Sequence, residues 1–275
     1  ELFDQASEIG GQFNYAKQVP GKEEFYETLR YFKKQLELNN VTLHLGEKQT
    51  AEQLASAGFD DVVIATGIKP RKLAIEGFDH PKVKSYLQVL RDKEPVGQKV
   101  AVIGAGGIGF DVSEYVTHQG ESSTLNVEAW KREWGVGDPS ETPGGLVEPE
   151  APVAAREVTL LQRKAEKPGK RLGKTTGWIH RAALQMKNVK MIGGVNYERI
   201  DAEGLHVSYG EARENPTLIA VDTVVMCAGQ VPERTLADAL IAAGRTCHVI
   251  GGADVAAELD AKRAIDQAAR LAARL

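Results

Sequence analysis

Short apolar runs alternate with amphipathic stretches along most of the chain. Apolar, mostly β-branched runs predict buried strands, because a strand covered on both faces has no polar side to present. The predicted strands lie at residues 41–45, 61–67, 100–103, 157–162, 189–192 and 218–228, with a hairpin at 200–209. Apolar residues at helical spacing predict helices at residues 23–38, 51–57, 87–91, 111–118 and from about 261 to the end. This alternation predicts an α/β fold.

Three glycines join the strand at 100–103 to the helix that follows it. Gly104, Gly106 and Gly109 form the pattern G-x-G-x-x-G, with Gly107 inside it. The first glycine allows a tight turn, the second a close approach of a pyrophosphate, and the third close packing of helix on sheet. The helix N-terminus adds unpaired amides and a partial positive charge. Its place between a strand and a helix favours a dinucleotide-binding turn over an ordinary glycine-rich loop.

A basic stretch begins where the next strand ends. Residues 163–181 carry seven lysines and arginines against one acid, Glu166. An acid at this strand end favours NAD, whereas an arginine accommodates the 2′-phosphate of NADP. Arg163 and Lys164 occupy that point, so we predict that they bind NADPH. The alternative is a solvated charged face.

Composition narrows the function classes. The 275 residues suffice for two medium domains, and the net charge of −4 argues against a nucleic-acid partner. The two cysteines, Cys227 and Cys247, stand in no paired motif, so we expect no disulfide, zinc or iron–sulfur site within the chain. Few cysteines and no apolar run of membrane-spanning length lead us to expect a cytoplasmic protein.

Both ends of the chain carry candidate flavin contacts. Asp4 closes a short apolar run, where an acid would take ribose hydroxyls; the alternative is an exposed acid in a disordered terminus. Asp254 ends a Gly-Gly-x-Asp segment and would hold the ribitol of FAD. The helix that starts near Ala261, Lys262 and Arg263 would face the flavin, unless it is simply a solvated helix start.

A strand–Gly–x–x–Pro segment occurs twice, at 65–70 and at 227–232. It predicts the points where the chain passes between two nucleotide domains. We expect Thr66 and Gly67 in the first copy, and Gly229 in the second, to contact the cofactor.

Several segments together resemble one family. The chain is similar, over essentially its whole length, to the C-terminal half of bacterial NADPH-dependent 2,4-dienoyl-CoA reductases, relatives of trimethylamine dehydrogenase in the old-yellow-enzyme group. The matching segments are Ser-Glu-Ile-Gly-Gly-Gln-Phe-Asn at 7–14, Pro-Gly-Lys-Glu-Glu-Phe-Tyr-Glu-Thr-Leu at 20–29, Val-Ile-Gly-Ala-Gly-Gly-Ile-Gly-Phe-Asp at 102–111, Leu-Gln-Arg-Lys-Ala at 161–165, Leu-Gly-Lys-Thr-Thr-Gly-Trp-Ile-His at 172–180 and Ile-Gly-Gly-Ala-Asp at 250–254.

The resemblance implies a larger enzyme with a role in fatty-acid β-oxidation. Its N-terminal part would be a TIM barrel with FMN, where the dienoyl thioester is reduced, followed by a cysteine-ligated 4Fe-4S cluster. The half described here would pass electrons from NADPH through FAD. Gly11, Gln12 and Lys22 would then help to bind the cofactor. Lys167 and Trp178 would lie beside the substrate, although Trp178 could equally be a core residue of its helix.

The resulting expectation is two Rossmann-like three-layer domains. An FAD domain would comprise residues 1–93 and 215–275, without its first strand and glycine turn, and an NADPH domain residues 94–214. We expect this chain alone not to turn over. Two alternatives are a structural module that holds ADP or FAD without hydride transfer, and a complete small ferredoxin-NADP-type reductase, which the missing first glycine turn disfavours. A purely structural module would not need the cations of Arg163 and Lys164.

Overall fold

The computed structural model describes residues 1–256 and 261–275. Its strands are β1 Leu2–Asp4, β2 Leu43–Leu45, β3 Val63–Ile64, β4 Ile68–Pro70, β5 Val83–Ser85, β6 Lys99–Ile103, β7 Glu157–Leu161, β8 Lys190–Ile192, β9 Val195–Ile200, β10 Gly204–Tyr209, β11 Glu214–Ala220, β12 Thr223–Met226, β13 Gln230–Pro232 and β14 His248–Val249. Its helices are α1 Phe13–Ala16, α2 Phe25–Leu38, α3 Ala51–Ser56, α4 Tyr86–Leu90, α5 Gly107–Thr117, α6 Val127–Trp134, α7 Gly177–Met186, α8 Thr235–Ala242 and α9 Ala261–Ala272. Residues 257–260, which precede the predicted helix start near Ala261, lie outside the described residues.

The chain forms two compact units. The terminal unit comprises Glu1–Ile9, Phe32–Arg71 and Gly229–Leu275, and the central unit comprises Gly10–Tyr31 and Lys72–Ala228. Residues 10–31, 72–93 and 215–228, which the prediction assigned to the FAD domain, lie in the central unit. For the last two segments the reason is strand pairing, because β5 and β12 join the sheet of β6. Which unit holds which nucleotide stays a prediction.

The central unit has three layers. Its parallel sheet has the order β5-β12-β6-β7-β8. Helices α4, α5 and α7 contribute Val89, Val112 and Leu184 to the core on one face. The antiparallel sheet β11-β10-β9 covers the other face, where Leu205 and Val207 join the second core. The predicted α/β class is confirmed.

The predicted buried strand at 218–228 is wrong. The structure has two strands there, β11 in the antiparallel sheet and β12 in the parallel sheet. The chain changes sheet at Asp222, whose carboxylate accepts a hydrogen bond from the Lys99 amide at 2.8 Å. Leu218, on β11, is 41% exposed, whereas the residues of β12 are buried.

The terminal unit contains three strand pairs. Strands β1 and β2 are parallel, β3 and β14 are parallel, and β4 and β13 are antiparallel. Leu54 of α3, Ile64 of β3 and Leu240 of α8 share a buried core. The two copies of the strand–Gly–x–x–Pro segment thus pair with each other, and the chain leaves and re-enters this unit directly beside them.

The structure also bears on membrane attachment. Among the described residues, every helix is too short or too polar to span a bilayer.

Candidate nucleotide-binding site

The turn after β6 is built by glycines that packing requires. Gly104 has a φ of +112°, and a Cβ there would lie 2.8 Å from the backbone nitrogen of Ala228. A Cβ on Gly109 would lie 1.7 Å from the carbonyl oxygen of Gly104. Both positions therefore exclude any side chain, and the strand and α5 meet as the motif predicts.

Gly106 and Gly107 have no such internal reason to be glycine. An added Cβ at either position would meet nothing within 4 Å, and neither has a positive φ. Gly106 is the N-cap of α5 and provides no side-chain hydrogen bond, so no cap side chain satisfies the first-turn amides. An anion fits this arrangement, because the amides and the helix dipole both favour negative charge. We call Gly106, Gly107 and these amides the cradle.

The sheet brings the end of β7 beside the cradle. Ile103 pairs with Leu161, and the Gly104 amide donates to the Leu161 carbonyl at 2.8 Å. Arg163 and Lys164 follow within three residues and are exposed. Within the described residues, neither cation forms an ion pair or a side-chain hydrogen bond.

Other cations of the same stretch are already engaged. Lys170 and Arg171 both contact the Glu166 carboxylate, at 3.6 Å and 3.1 Å. Arg181 donates to the Gly169 carbonyl at 3.0 Å. Arg163 and Lys164, which follow β7, thus differ from these three engaged cations, as recognition of a phosphate would require.

The other predicted contacts of the central unit differ among themselves. Lys22 is not free, since its ammonium pairs with both carboxylate oxygens of Asp111 on α5, at 2.6 and 2.7 Å. Gly11 has a φ of +49° and open space around its Cβ position, and Gln12 beside it is exposed. Both precede α1.

The predicted substrate contacts lie on the surface of the central unit. Trp178, at the start of α7, is 58% exposed, so the alternative of a core residue is wrong. Lys167 is exposed as well.

In the terminal unit, two loops bring together three predicted cofactor residues. A Cβ on Gly252 would lie 3.2 Å from the carbonyl carbon of Gly67, so the loop that ends at Asp254 contacts the turn that holds Thr66 and Gly67. Gly67 has a φ of +77° and nothing within 4 Å of its Cβ position. These loops therefore leave room beside Gly67 that a cofactor can use.

Most polar groups of these loops are hydrogen-bonded within the unit. The Asp254 carboxylate accepts from Nε2 of Gln267 at 2.9 Å, and Oε1 of Gln267 accepts from the Gly251 amide at 2.8 Å. The Thr66 hydroxyl donates to the Glu233 carbonyl. Arg263 donates to the Val255 carbonyl at 2.7 Å, close to Ala261 and Lys262 in the chain. Sequence reasoning missed Gln267.

Asp4 and Gly229 lie elsewhere in the terminal unit. Asp4 ends β1, and its Oδ1 accepts from the Ala6 amide at 2.9 Å. Gly229 has a φ of +80° beside the Arg71 guanidinium, which an added Cβ would approach to 2.5 Å. Gly229 is thus explained by its backbone conformation.

Cys227 is a core thiol, as predicted. It is buried at the end of β12, and burial together with the nearby Asp111 charge raises the pKa of its thiol. It therefore stays protonated near neutral pH. Cys227 and Cys247 are both free.

Comparison with known proteins agrees with this geometry. Residues 9–262 match the family model described as pyridine nucleotide-disulphide oxidoreductase. A metal reductase of Desulforamulus reducens is 25% identical over 256 residues, which is 92% of this chain and 37% of that protein. A bilirubin reductase of Mediterraneibacter gnavus is 33% identical over 119 residues, 43% of this chain and 19% of that protein.

The fold is also shared with a solved structure. A complex of 2-naphthoyl-CoA reductase with 2-naphthoyl-CoA superposes with a TM-score of 0.77 at 24% identity, covering 96% of this chain and 34% of that one. This chain thus spans well under half the length of each of these three proteins. The family model covers most of the chain, and the glycine turn fits the nucleotide that the family binds. The chain therefore belongs to the pyridine nucleotide-disulphide oxidoreductase family, whose domain binds FAD and a nicotinamide nucleotide.

Proposed function

We propose that this chain is the electron-input part of a larger flavin and iron–sulfur oxidoreductase. It takes hydride from NADPH onto FAD, for the reduction of a 2,4-dienoyl-CoA thioester in a TIM-barrel part that holds FMN and a 4Fe-4S cluster. The observation that carries the proposal is the open cradle at Gly106 and Gly107 beside the unpaired cations of Arg163 and Lys164.

The cradle and the cations divide the recognition of NADPH. The α5 amides would receive the pyrophosphate, because they lie at a helix N-terminus that no cap side chain occupies, beside the open space at Gly106 and Gly107. Arg163 binds the 2′-phosphate through its planar fork, and Lys164 adds a point charge. The nicotinamide and flavin supply the hydride chemistry when bound, while the protein supplies binding and orientation.

The terminal unit supplies the FAD contacts in this proposal. Asp254 accepts hydrogen bonds from the ribitol hydroxyls, and Gln267 fixes the orientation of its carboxylate. Asp4 accepts from the ribose. Lys262 and Arg263, in the first described turn of α9, place positive charge near the flavin, which stabilises negative charge on the reduced ring.

The proposed remainder of the enzyme rests on two supports. The sequence resemblance carries the dienoyl-CoA substrate, for which Lys167 and Trp178 present exposed side chains. The length of the relatives supports further parts, since the match covers 37% of the metal reductase and 19% of the bilirubin reductase. A fold shared with 2-naphthoyl-CoA reductase is compatible with a thioester substrate.

The 2′-phosphate site is tested by two double variants of equal charge. Arg163→Ala with Lys164→Ala removes the unpaired cations, and Lys170→Ala with Arg171→Ala removes two that Glu166 already engages. We expect the first variant to lose NADPH affinity by about 1.5–3 kcal/mol per contact, with little change for NADH, because only NADPH carries the 2′-phosphate. Isothermal titration calorimetry measures both coenzymes.

The control variant should keep its preference for NADPH. Equal losses for NADPH and NADH in the first variant, or equal effects of both variants, would contradict the assignment.

A further inference from the structure

The basic loop, residues 163–167, is held from within by an uncharged side chain. Gln162 directly follows β7, and its Nε2 donates to the carbonyls of Lys164, at 3.0 Å, and Glu166, at 2.5 Å. The backbone of Gln162 is itself fixed: its amide donates to Ile192 at 2.9 Å, and its carbonyl accepts from Val195 at 3.2 Å. The Gln162 side chain therefore holds the loop to a residue whose own backbone is hydrogen-bonded to Ile192 and Val195.

A glycine pair contacts the same two carbonyls of this loop. The Gly194 amide donates to the Lys164 carbonyl at 2.9 Å. A Cβ on Gly193 would lie 2.9 Å from the Glu166 carbonyl oxygen and 3.0 Å from that of Lys164. The loop thus sits against a backbone that leaves no room for a side chain at Gly193.

The Gln162 hydrogen bonds also position Glu166, the one acid of the basic stretch. With its backbone held by Gln162, Glu166 pairs with Lys170 and Arg171, and no carboxylate of residues 1–256 or 261–275 pairs with Arg163 or Lys164. Exposed ion pairs contribute little by themselves, so they do not fix the loop. A freed loop would let Glu166 reach the neighbouring cations and compete with a bound phosphate.

We propose that Gln162, supported by Gly193, is the positioning residue for coenzyme specificity: it holds the basic loop in the conformation that recognises a 2′-phosphate. The inference rests on the proposed function, since it assumes that Arg163 and Lys164 bind that phosphate. Pre-ordering a loop raises affinity by removing the cost of ordering it on binding. Loosening it therefore weakens recognition of the 2′-phosphate and spares the cradle at Gly106 and Gly107, which belongs to another turn.

The test uses adenosine 2′,5′-bisphosphate and adenosine 5′-monophosphate as probes in calorimetry. Gln162→Met keeps the side-chain length and removes both donors. We expect its affinity for the bisphosphate to fall by roughly tenfold, the size of one lost hydrogen bond, while the monophosphate changes by less than about twofold. The matched control is Gln119→Met, whose exposed amide donates to the Val153 carbonyl at 3.3 Å away from the loop, and it should change neither affinity.

Gly193→Ala provides a second variant. Its added Cβ would press on the Glu166 and Lys164 carbonyl oxygens, which displaces the same loop, and should give the same selective loss. Thermal melts by circular dichroism identify any variant that has lost its fold, and the surviving one decides. Equal weakening of both probes, or an unchanged affinity for the bisphosphate, would overturn the role of Gln162 and leave the 2′-phosphate site standing. A wild-type chain with no preference for the bisphosphate would overturn both.

Discussion

The cradle of the central unit and the paired loops of the terminal unit offer their binding groups in opposite ways. At the cradle, Gly106 and Gly107 border open space, and the neighbouring cations of Arg163 and Lys164 are unpaired within the described residues. In the terminal unit, Asp254 already accepts from Gln267, and the Thr66 hydroxyl donates to Glu233.

This difference separates binding from stability. Residues whose groups are unpaired can be changed with little loss of folding free energy, so their substitution reports mainly on the ligand. Residues engaged within the unit report on both, because a removed partner leaves another polar group unsatisfied. Variants of the two regions should therefore differ in the ratio of binding loss to stability loss.

The largest expected effect is at Gly109, because one substitution there should lower both the stability of the fold and the binding of NADPH. Gly109→Ala would force a Cβ against the Gly104 carbonyl oxygen, which is backbone and cannot move aside. We expect a loss of about 1–3 kcal/mol in the free energy of unfolding, measured by urea denaturation, together with loss of NADPH binding.

Gly107→Ala is its control within the same helix. It meets no atom and replaces glycine by the best helix former, so stability should rise by about 0.5–1 kcal/mol. NADPH binding should nevertheless weaken by roughly tenfold, because the methyl group occupies the cradle. Unchanged NADPH binding in Gly107→Ala would show that the open space is not the nucleotide site.

The next effect is in the terminal unit. Asp254→Ala with Asp4→Ala should lower the FAD content of the purified full-length protein, since each lost hydrogen bond to a charged acceptor costs about 1.5–3 kcal/mol. The FAD-to-protein absorbance ratio measures it. Asp61→Ala with Asp238→Ala removes two acids of the same unit that pair with His248 and Arg234, and should keep the FAD. Normal FAD content in the first variant would mean that the flavin contacts are misplaced.

The smallest effect concerns Glu233, beside Thr66. Hydrogen bonds from Thr235, and then from Lys69, lower the pKa of this carboxyl from 4.5 to about 2. A lowered pKa in the folded state means that Glu233 stabilises the protein above pH 4.5 and that this contribution is lost as the pH falls towards 2. Urea midpoints should therefore fall less between pH 5 and 2.5 in Glu233→Gln than in the wild type. Parallel pH profiles would contradict the shift.

The sequence predicted what depends on neighbours along the chain. Strand β6, the glycine turn and α5 were found because a continuous apolar run, glycine spacing and helical periodicity all occur within residues 99–117. The predicted strand at 218–228 was wrong because its break depends on a hydrogen bond between Asp222 and the distant Lys99 amide. The division of residues 72–93 and 215–228 differs from the predicted domains for a similar reason. Strand β12 pairs with both β5 and β6, which lie far from it in the sequence.

The residues of the candidate site differ in the same way in whether the sequence predicts them. Arg163 and Lys164 could be chosen from the sequence, because their place after a strand carries the argument. Gln162 and Gln267 could not, since an amide side chain gains its role only from the carbonyls and amides that the fold brings to it. The Gly-Gly pair at 193–194, directly after a predicted strand, was the one local signal of a close backbone approach.

The central claim, that this chain transfers hydride from NADPH to FAD, is tested most directly by stopped-flow absorbance at the flavin band. The FAD-loaded full-length protein is mixed without oxygen with NADPH or NADH, for the wild type and for Arg163→Ala with Lys164→Ala. We predict that NADPH bleaches the wild-type flavin faster than NADH at limiting coenzyme, and that the double variant loses this advantage while its rate with NADH is kept. A protein that binds FAD and NADPH but whose flavin never bleaches would contradict the account and identify a structural nucleotide-binding module.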